Sequence, residues 1–294
     1  MTDISTDEAT RIASWKLLLR NPVTVVSAVV LAVIVVVAFT AQWIAPFGYN
    51  DIDVPNALAP LSEAHWFGTD DLGRDVFSRI LVATQASLRV AVVSVVFAVV
   101  VGVTIGVVAG YRGGWVDTAF MRVVDVMFAF PVLLLALAVV AILGPGATTT
   151  MLAIGIVYTP IFARVARAST LSVRVEPFVQ VSRTMGTGHL YILFRHILPN
   201  IAGPLIVQTS LSLAFAILSE AALSFLGLGI QPPEPSLGRM IFDSQGFVTL
   251  AWWMAVFPGA AIFVAVLAFN LLGDGLRDVL DPKQRTMIEA RKQR

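Results

Sequence analysis

Residues 126–163 read VMFAFPVLLLALAVVAILGPGATTTMLAIGIVYTPIFA, 38 positions without Asp, Glu, Lys or Arg. A bilayer core about 30 Å thick is crossed by roughly 20 apolar helical residues rising about 1.5 Å each. The run is therefore too long for one crossing, and Gly144-Pro145-Gly146 inside it reads as a tight turn between two. This predicts spans near 119–143 and 148–168. Outward from them, Asn21–Asn50 is also uncharged, with Pro22 suited to a first helical turn and Trp43 to the far interface, which predicts a span at 22–44. It exceeds the apolar run of a signal peptide and no small-residue cleavage site follows it, so it is expected to be retained. A second span is expected between Arg89 and Arg112, a fifth after Pro199 near 201–226, and a sixth near 250–273 within Ser244–Gly273.

The composition agrees with six crossings. Hydrophobic residues make up 57% of 294 and charged residues 13%, against about 25% charged in an ordinary globular domain; the mean hydropathy is +0.83. So few charges cannot cover a water-facing surface, and the chain reads as an all-α integral membrane protein. A closed β-barrel would need alternating short strands, which this periodicity lacks. The absence of cysteine excludes a disulfide framework and a thiolate metal site. Positive charge sets the orientation. Arg11, Lys16 and Arg20, the loop bearing Arg174, Arg183 and Arg195, and the tail from Arg277 to Arg294 fall on one side, which makes both termini cytoplasmic. On the other side, Arg74 and Arg79 are offset by Asp51, Asp53, Glu63, Asp70, Asp71 and Asp75.

Catalysis finds no support. A phosphate-binding loop needs Gly before and Ser or Thr after its lysine, and Lys16, Lys283 and Lys292 all lack that context. His65, His189 and His196 do not form the paired helical spacing of a zinc hydrolase. No catalytic, cofactor-binding or metal site is expected, and nothing points to nucleic acid. Arg122, Asp125, Glu220 and Asp274 stand toward span ends, where a proton-coupled transporter working alone would want mid-depth carboxylates. A membrane-anchored scaffold is the remaining alternative.

The segment before the fifth span carries the functional signal. Pro177 opens a short helix and Gly186 or Gly188 closes it, and Phe178, Val179, Val181, Ser182 and Met185 give it an apolar face suited to a partner's groove. A second amphipathic stretch runs to Pro199. Such a long structured loop is unusual between membrane helices.

These residues resemble the loop of ATP-binding-cassette importer permeases, whose pattern is Glu-Ala-Ala, three residues, Gly, nine residues, Ile-x-Leu-Pro. Gly186, Leu198 and Pro199 match; the triplet positions hold Gln180, Val181 and Ser182, and the Ile position holds His196. Arg195–Asn200, Phe67–Asp75, Glu220–Pro233 and Gly275–Pro282 are similar to segments of the dipeptide, oligopeptide and nickel branch. The resemblance implies a type I importer transmembrane domain laid out as a tail at 1–21, a first transmembrane helix at 22–44, an external segment at 45–85, a permease core at 86–273 with a coupling loop at 169–200, and a cytoplasmic tail at 274–294. It also implies a second homologous permease subunit, two ATP-binding subunits that carry ATP and Mg, an extracytoplasmic solute-binding protein, and residence in the plasma or inner membrane among lipid. Peptides are the expected solute; nickel or haem is the alternative.

In that reading Glu176, Phe178, Gln180, Val181, Ser182, Arg183, Thr184, Met185 and Gly186 form the ATPase-coupling loop. Asp70, Arg74 and Asp75 are candidate contacts of the binding protein, and Gln208, Ser212, Ser219 and Glu220 candidate linings of the pathway. Gly102, Gly106 and Gly110 recur every four residues and predict close helix packing; Pro131 and Pro160 predict bends.

Overall fold

A computed structural model of the chain describes residues 21–280. The charges expected on the tails at Arg11, Lys16, Arg20 and from Lys283 onward, and the end of the Gly275–Pro282 segment, lie outside the described residues. All long elements within them are helices, five of which are long and apolar enough to cross a membrane, or six if one bent pair counts as a span.

Helix α1, Pro22–Ile44, starts where Asn21 Oδ1 accepts a hydrogen bond from Val23 N at 3.0 Å. It is apolar on all sides, but only Thr24, Ser27, Leu31, Ala38 and Ala41 are buried. The opposite valines, Phe39 and Trp43 are left to lipid.

Helix α2, Val76–Arg112, has 37 residues, about 55 Å at the α-helical rise. The sequence separates an external segment at 45–85 from a span between Arg89 and Arg112. The structure joins them, because Asp75 caps the helix at Ser78 N (2.7 Å) and no Gly or Pro interrupts it before Gly102. Its glycine stripe meets α5, Ala147–Val173. A Cβ at Gly102 would stand 2.5 Å from Thr159 O, and one at Gly106 2.3 Å from Ala163 O. The stripe lets two backbones approach to a distance that any side chain would forbid.

The expected span at 119–143 is corrected. It divides into α3, Gly114–Phe128, and α4, Val132–Leu143, bent by 93°. Pro131 has no N–H to continue α3, and it disfavours helical backbone at Phe130. Alone, the 12 residues of α4 rise about 18 Å. Two ion pairs hold α3 across α5. Arg167 is bidentate to Asp117, its Nη2 at 2.6 Å, and Arg164 reaches Asp125 at 2.7 Å while lying over the Phe128 ring.

After α6, Pro177–Thr184, helix α7 runs unbroken from His189 to Phe225. The sequence expects a break at Pro199. The chain instead passes through a π-helical stretch, Ile192–Ile197, in which Leu198 N bonds Leu193 O. A wider turn of this kind accommodates a proline that can neither donate to nor pack against the carbonyl four residues back. Helices α8, Leu237–Asp243, and α9, Trp253–Leu280, complete the bundle. Ser210 of α7 donates to Phe269 O of α9 at 2.9 Å.

Candidate functional site

At one end of the bundle, α6 projects between the ends of α5 and α7. Glu176 stands at its N-cap position, exposed and making no capping bond, and Pro177 occupies the first turn. The C-terminus closes with paired bonds, Gly186 N to Arg183 O at 3.0 Å and Thr187 N to Ser182 O at 3.1 Å. Gly186 has φ +76°, and a Cβ there would meet nothing within 4 Å. The glycine thus suits a left-handed backbone, and no neighbour within the chain itself crowds it.

The apolar residues of α6 divide. Val179 is wholly buried in the main core, whereas Phe178, Val181 and Met185 are exposed, Met185 at 78%. Val179 anchors the helix in its own core, Val181 and Met185 face outward, and Phe178 is partly open while lying 5.9 Å from the His196 ring. The polar residues tie it locally: Gln180 Nε2 donates to Arg174 O at 2.9 Å, Thr184 Oγ1 to Gln180 O at 2.9 Å, and Ser182 Oγ to Phe178 O at 2.8 Å. Arg183 lies 5.3 Å from the Tyr111 ring, and Tyr111 OH is 2.9 Å from His189 Nδ1. Arg174 Nη1 reaches Gly110 O, near the end of α2, at 2.8 Å. Sequence reasoning missed Tyr111 and Arg174 as supports of this loop, since their partners lie 78 and 64 positions away.

At the opposite end, residues 45–75 and α8 form a lobe. Asp70, Arg74 and Asp75, read as candidate outward contacts, are turned inward with exposures of 4, 9 and 3%. Asp70 accepts from Leu72 N and Arg74 N at 2.9 Å each and from Arg74 Nε at 2.7 Å. Asp75 caps α2 and meets His65 Nδ1 at 2.9 Å. A carboxylate this enclosed needs several donors to offset its lost hydration, and these two find them within the lobe. Trp253 Nε1 donates to Thr69 O at 3.0 Å, which fastens the lobe to α9. In α8, burial pushes the Asp243 carboxyl above its ordinary range, and Arg239 at 2.8 Å pulls it back.

The candidate pathway residues do not act as a set. Glu220 has no exposure; it accepts from Ser87 of α2 at 2.6 Å and Ser224 at 2.7 Å. It joins α2 to α7 and is closed off from solvent. Ser212 is 1% exposed and accepts from Gln208 Nε2 at 3.1 Å. Of the four, Ser219 opens on a cleft of about 340 Å³ between α4, α5 and α7. Tyr158, missed in the sequence, stands beside it with its OH 3.1 Å from Ser219 Oγ, and Val132, Leu133, Ile161, Phe215 and Leu218 supply apolar walls.

Residues 102–286 match the profile of the binding-protein-dependent transport system inner membrane component, and residues 11–60 that of the N-terminal TM domain of oligopeptide transport permease C. The chain is 43% identical over 284 residues to the dipeptide transport system permease protein DppC of Alkalihalophilus pseudofirmus, covering 95% of this chain and 93% of that one. It is 45% identical over 273 residues to the glutathione transport system permease protein GsiD of Pectobacterium atrosepticum, covering 92% and 91%. For GsiD of Escherichia coli O157:H7 the identity is 46% over 270 residues, covering 92% and 89%. Among solved structures, a chain of the MetNI methionine ABC transporter in an inward-facing conformation shares the fold, with a TM-score of 0.53, 17% identity and coverage of 68% of this chain and 97% of that one.

Proposed function

Since the chain belongs to the family of binding-protein-dependent transport system inner membrane components, we propose that it forms half of the pore of an importer of short peptides, dipeptides or glutathione-like tripeptides, energised through α6 by ATPase subunits. It is a multi-pass inner-membrane permease. ATP and Mg bind on two partner subunits, a related permease supplies the other half of the pore, and a solute-binding protein delivers cargo to the lobe side. The chain itself carries out no bond-making step.

The observation that carries this reading is the division of α6. A short helix held to its own core by Val179 while presenting Phe178, Val181 and Met185 has the form of an amphipathic helix prepared for a groove on a partner. Gln180, Ser182 and Thr184 bond nearby backbone carbonyls, so docking through the apolar face does not require these bonds to be released. The names of the dipeptide and glutathione permeases it resembles supply the peptide class of solute.

The test is affinity purification in mild detergent from membranes containing the whole transporter, comparing wild type with Gly186→Pro, followed by uptake of dipeptides and of glutathione into proteoliposomes. An ATPase subunit is expected to accompany the wild type and be depleted in the variant, and uptake is expected to depend on ATP. Wild type purifying without any ATPase, or uptake indifferent to ATP, would overturn the proposal.

A further inference from the structure

His196 belongs to the π-helical stretch Ile192–Ile197 at the base of α7. In this stretch the backbone bonds run between residues five apart, and Ile192 and Ile197 both have no exposure and pack in the core. His196 is thereby displaced from that face toward α6. Its Nε2 lies 3.3 Å from Ser182 Oγ, and its ring centre is 5.9 Å from Phe178 and 5.7 Å from Tyr191. Ser182 has one proton, already given to Phe178 O at 2.8 Å, so the imidazole N–H is the donor in the contact with His196. Asn200 Nδ2 bonds the His196 carbonyl at 2.7 Å and supports the wide turn from beneath.

Val179 alone would let α6 roll about a single apolar plug. The contacts of His196 with Phe178 and Ser182 stand on either side of Val179 along α6 and define its rotation relative to α7. We propose that His196 is a positioning residue of the coupling machinery: through Ser182 and Phe178 it fixes α6 to the base of α7, so that displacement of α6 by its ATPase is delivered to that span. This rests on the permease reading above and adds to it the residue through which the movement passes.

The test uses the assembled transporter in proteoliposomes, with solute uptake and ATP hydrolysis measured in the same vesicles for wild type, His196→Leu, Ser182→Ala and His196→Gln. All four are expected to retain the ATPase on purification. His196→Leu and Ser182→Ala are expected to lower solute moved per ATP hydrolysed by about fivefold, the lower end of what coupling between two sites delivers. His196→Gln, whose amide can still donate to Ser182, is expected to restore most of the ratio, a rescue that loss of packing alone would not give. An unchanged ratio in His196→Leu, or loss of the ATPase from that complex, would overturn the assignment. Failure of the underlying reading is distinguishable, because the wild type itself would then show no ATP-dependent uptake.

Discussion

Gly73 and Gly186 have nearly the same backbone, φ +77° and +76°, yet different reasons for being glycine. A Cβ at Gly73 would stand 1.8 Å from Asp53 O, inside the lobe, whereas one at Gly186 meets open space. Gly73→Ala is therefore expected to abolish folding of the lobe, read as loss of a monodisperse peak in detergent. Gly186→Ala is expected to cost about 1 kcal/mol of left-handed strain at the end of α6 and to leave the protein folded. The sequence marks Gly186 as a turn, but only the backbone angle says why it is glycine. Asp75 teaches the converse. Its charge is visible in the sequence, its direction is not, and it is spent on Ser78 N and His65. Asp75→Ala is expected to lower stability by about 1 kcal/mol through the lost cap, seen as a lower thermal midpoint, with Asp75→Asn losing less. Equal midpoints for Asp75→Ala and wild type would contradict the capping role.

Among the elements, periodicity foretold the glycine stripe of α2, since three glycines at helical spacing have a single geometric consequence. Gly106→Leu would force a side chain into Ala163 O, and failure to accumulate in the membrane is the expected result. Hydropathy could not foretell the division of α3 from α4. A run without charges has the same composition whether it is straight or bent, and Pro131 permits a kink of any size. The bend is 93°, and α3 is tied across it to α5 by contacts distant in sequence, Asp117 with Arg167 and Asp125 with Arg164. Arg167→Ala is expected to raise hydrogen exchange across residues 114–128 while leaving α2 and the first half of α5 unchanged. No change in α3 would show that the ion pairs do not hold it.

For the molecule as a whole, the all-helical membrane architecture was legible because charge depletion, span length and loop charge all point the same way. The short helix α6 was legible from Pro177 and Gly186, and the matching segments identified the family. The lobe was not: Trp253 meets Thr69 across 184 positions, and no local pattern encodes such a pairing. Nor was the inward turn of Glu220, whose donor Ser87 lies 133 positions away on another helix. In the proposed function, the outward face of α6 is the surface on which the ATPase works. The chain has no cysteine, so single cysteines can be introduced without a background. The decisive measurement is bifunctional cross-linking of Met185→Cys, Phe178→Cys and Val179→Cys in the intact transporter. Adducts with an ATP-binding subunit are predicted from the exposed positions 185 and 178 and not from the buried position 179. Absence of an ATPase adduct from both exposed positions, in a transporter that still takes up solute, would contradict the account.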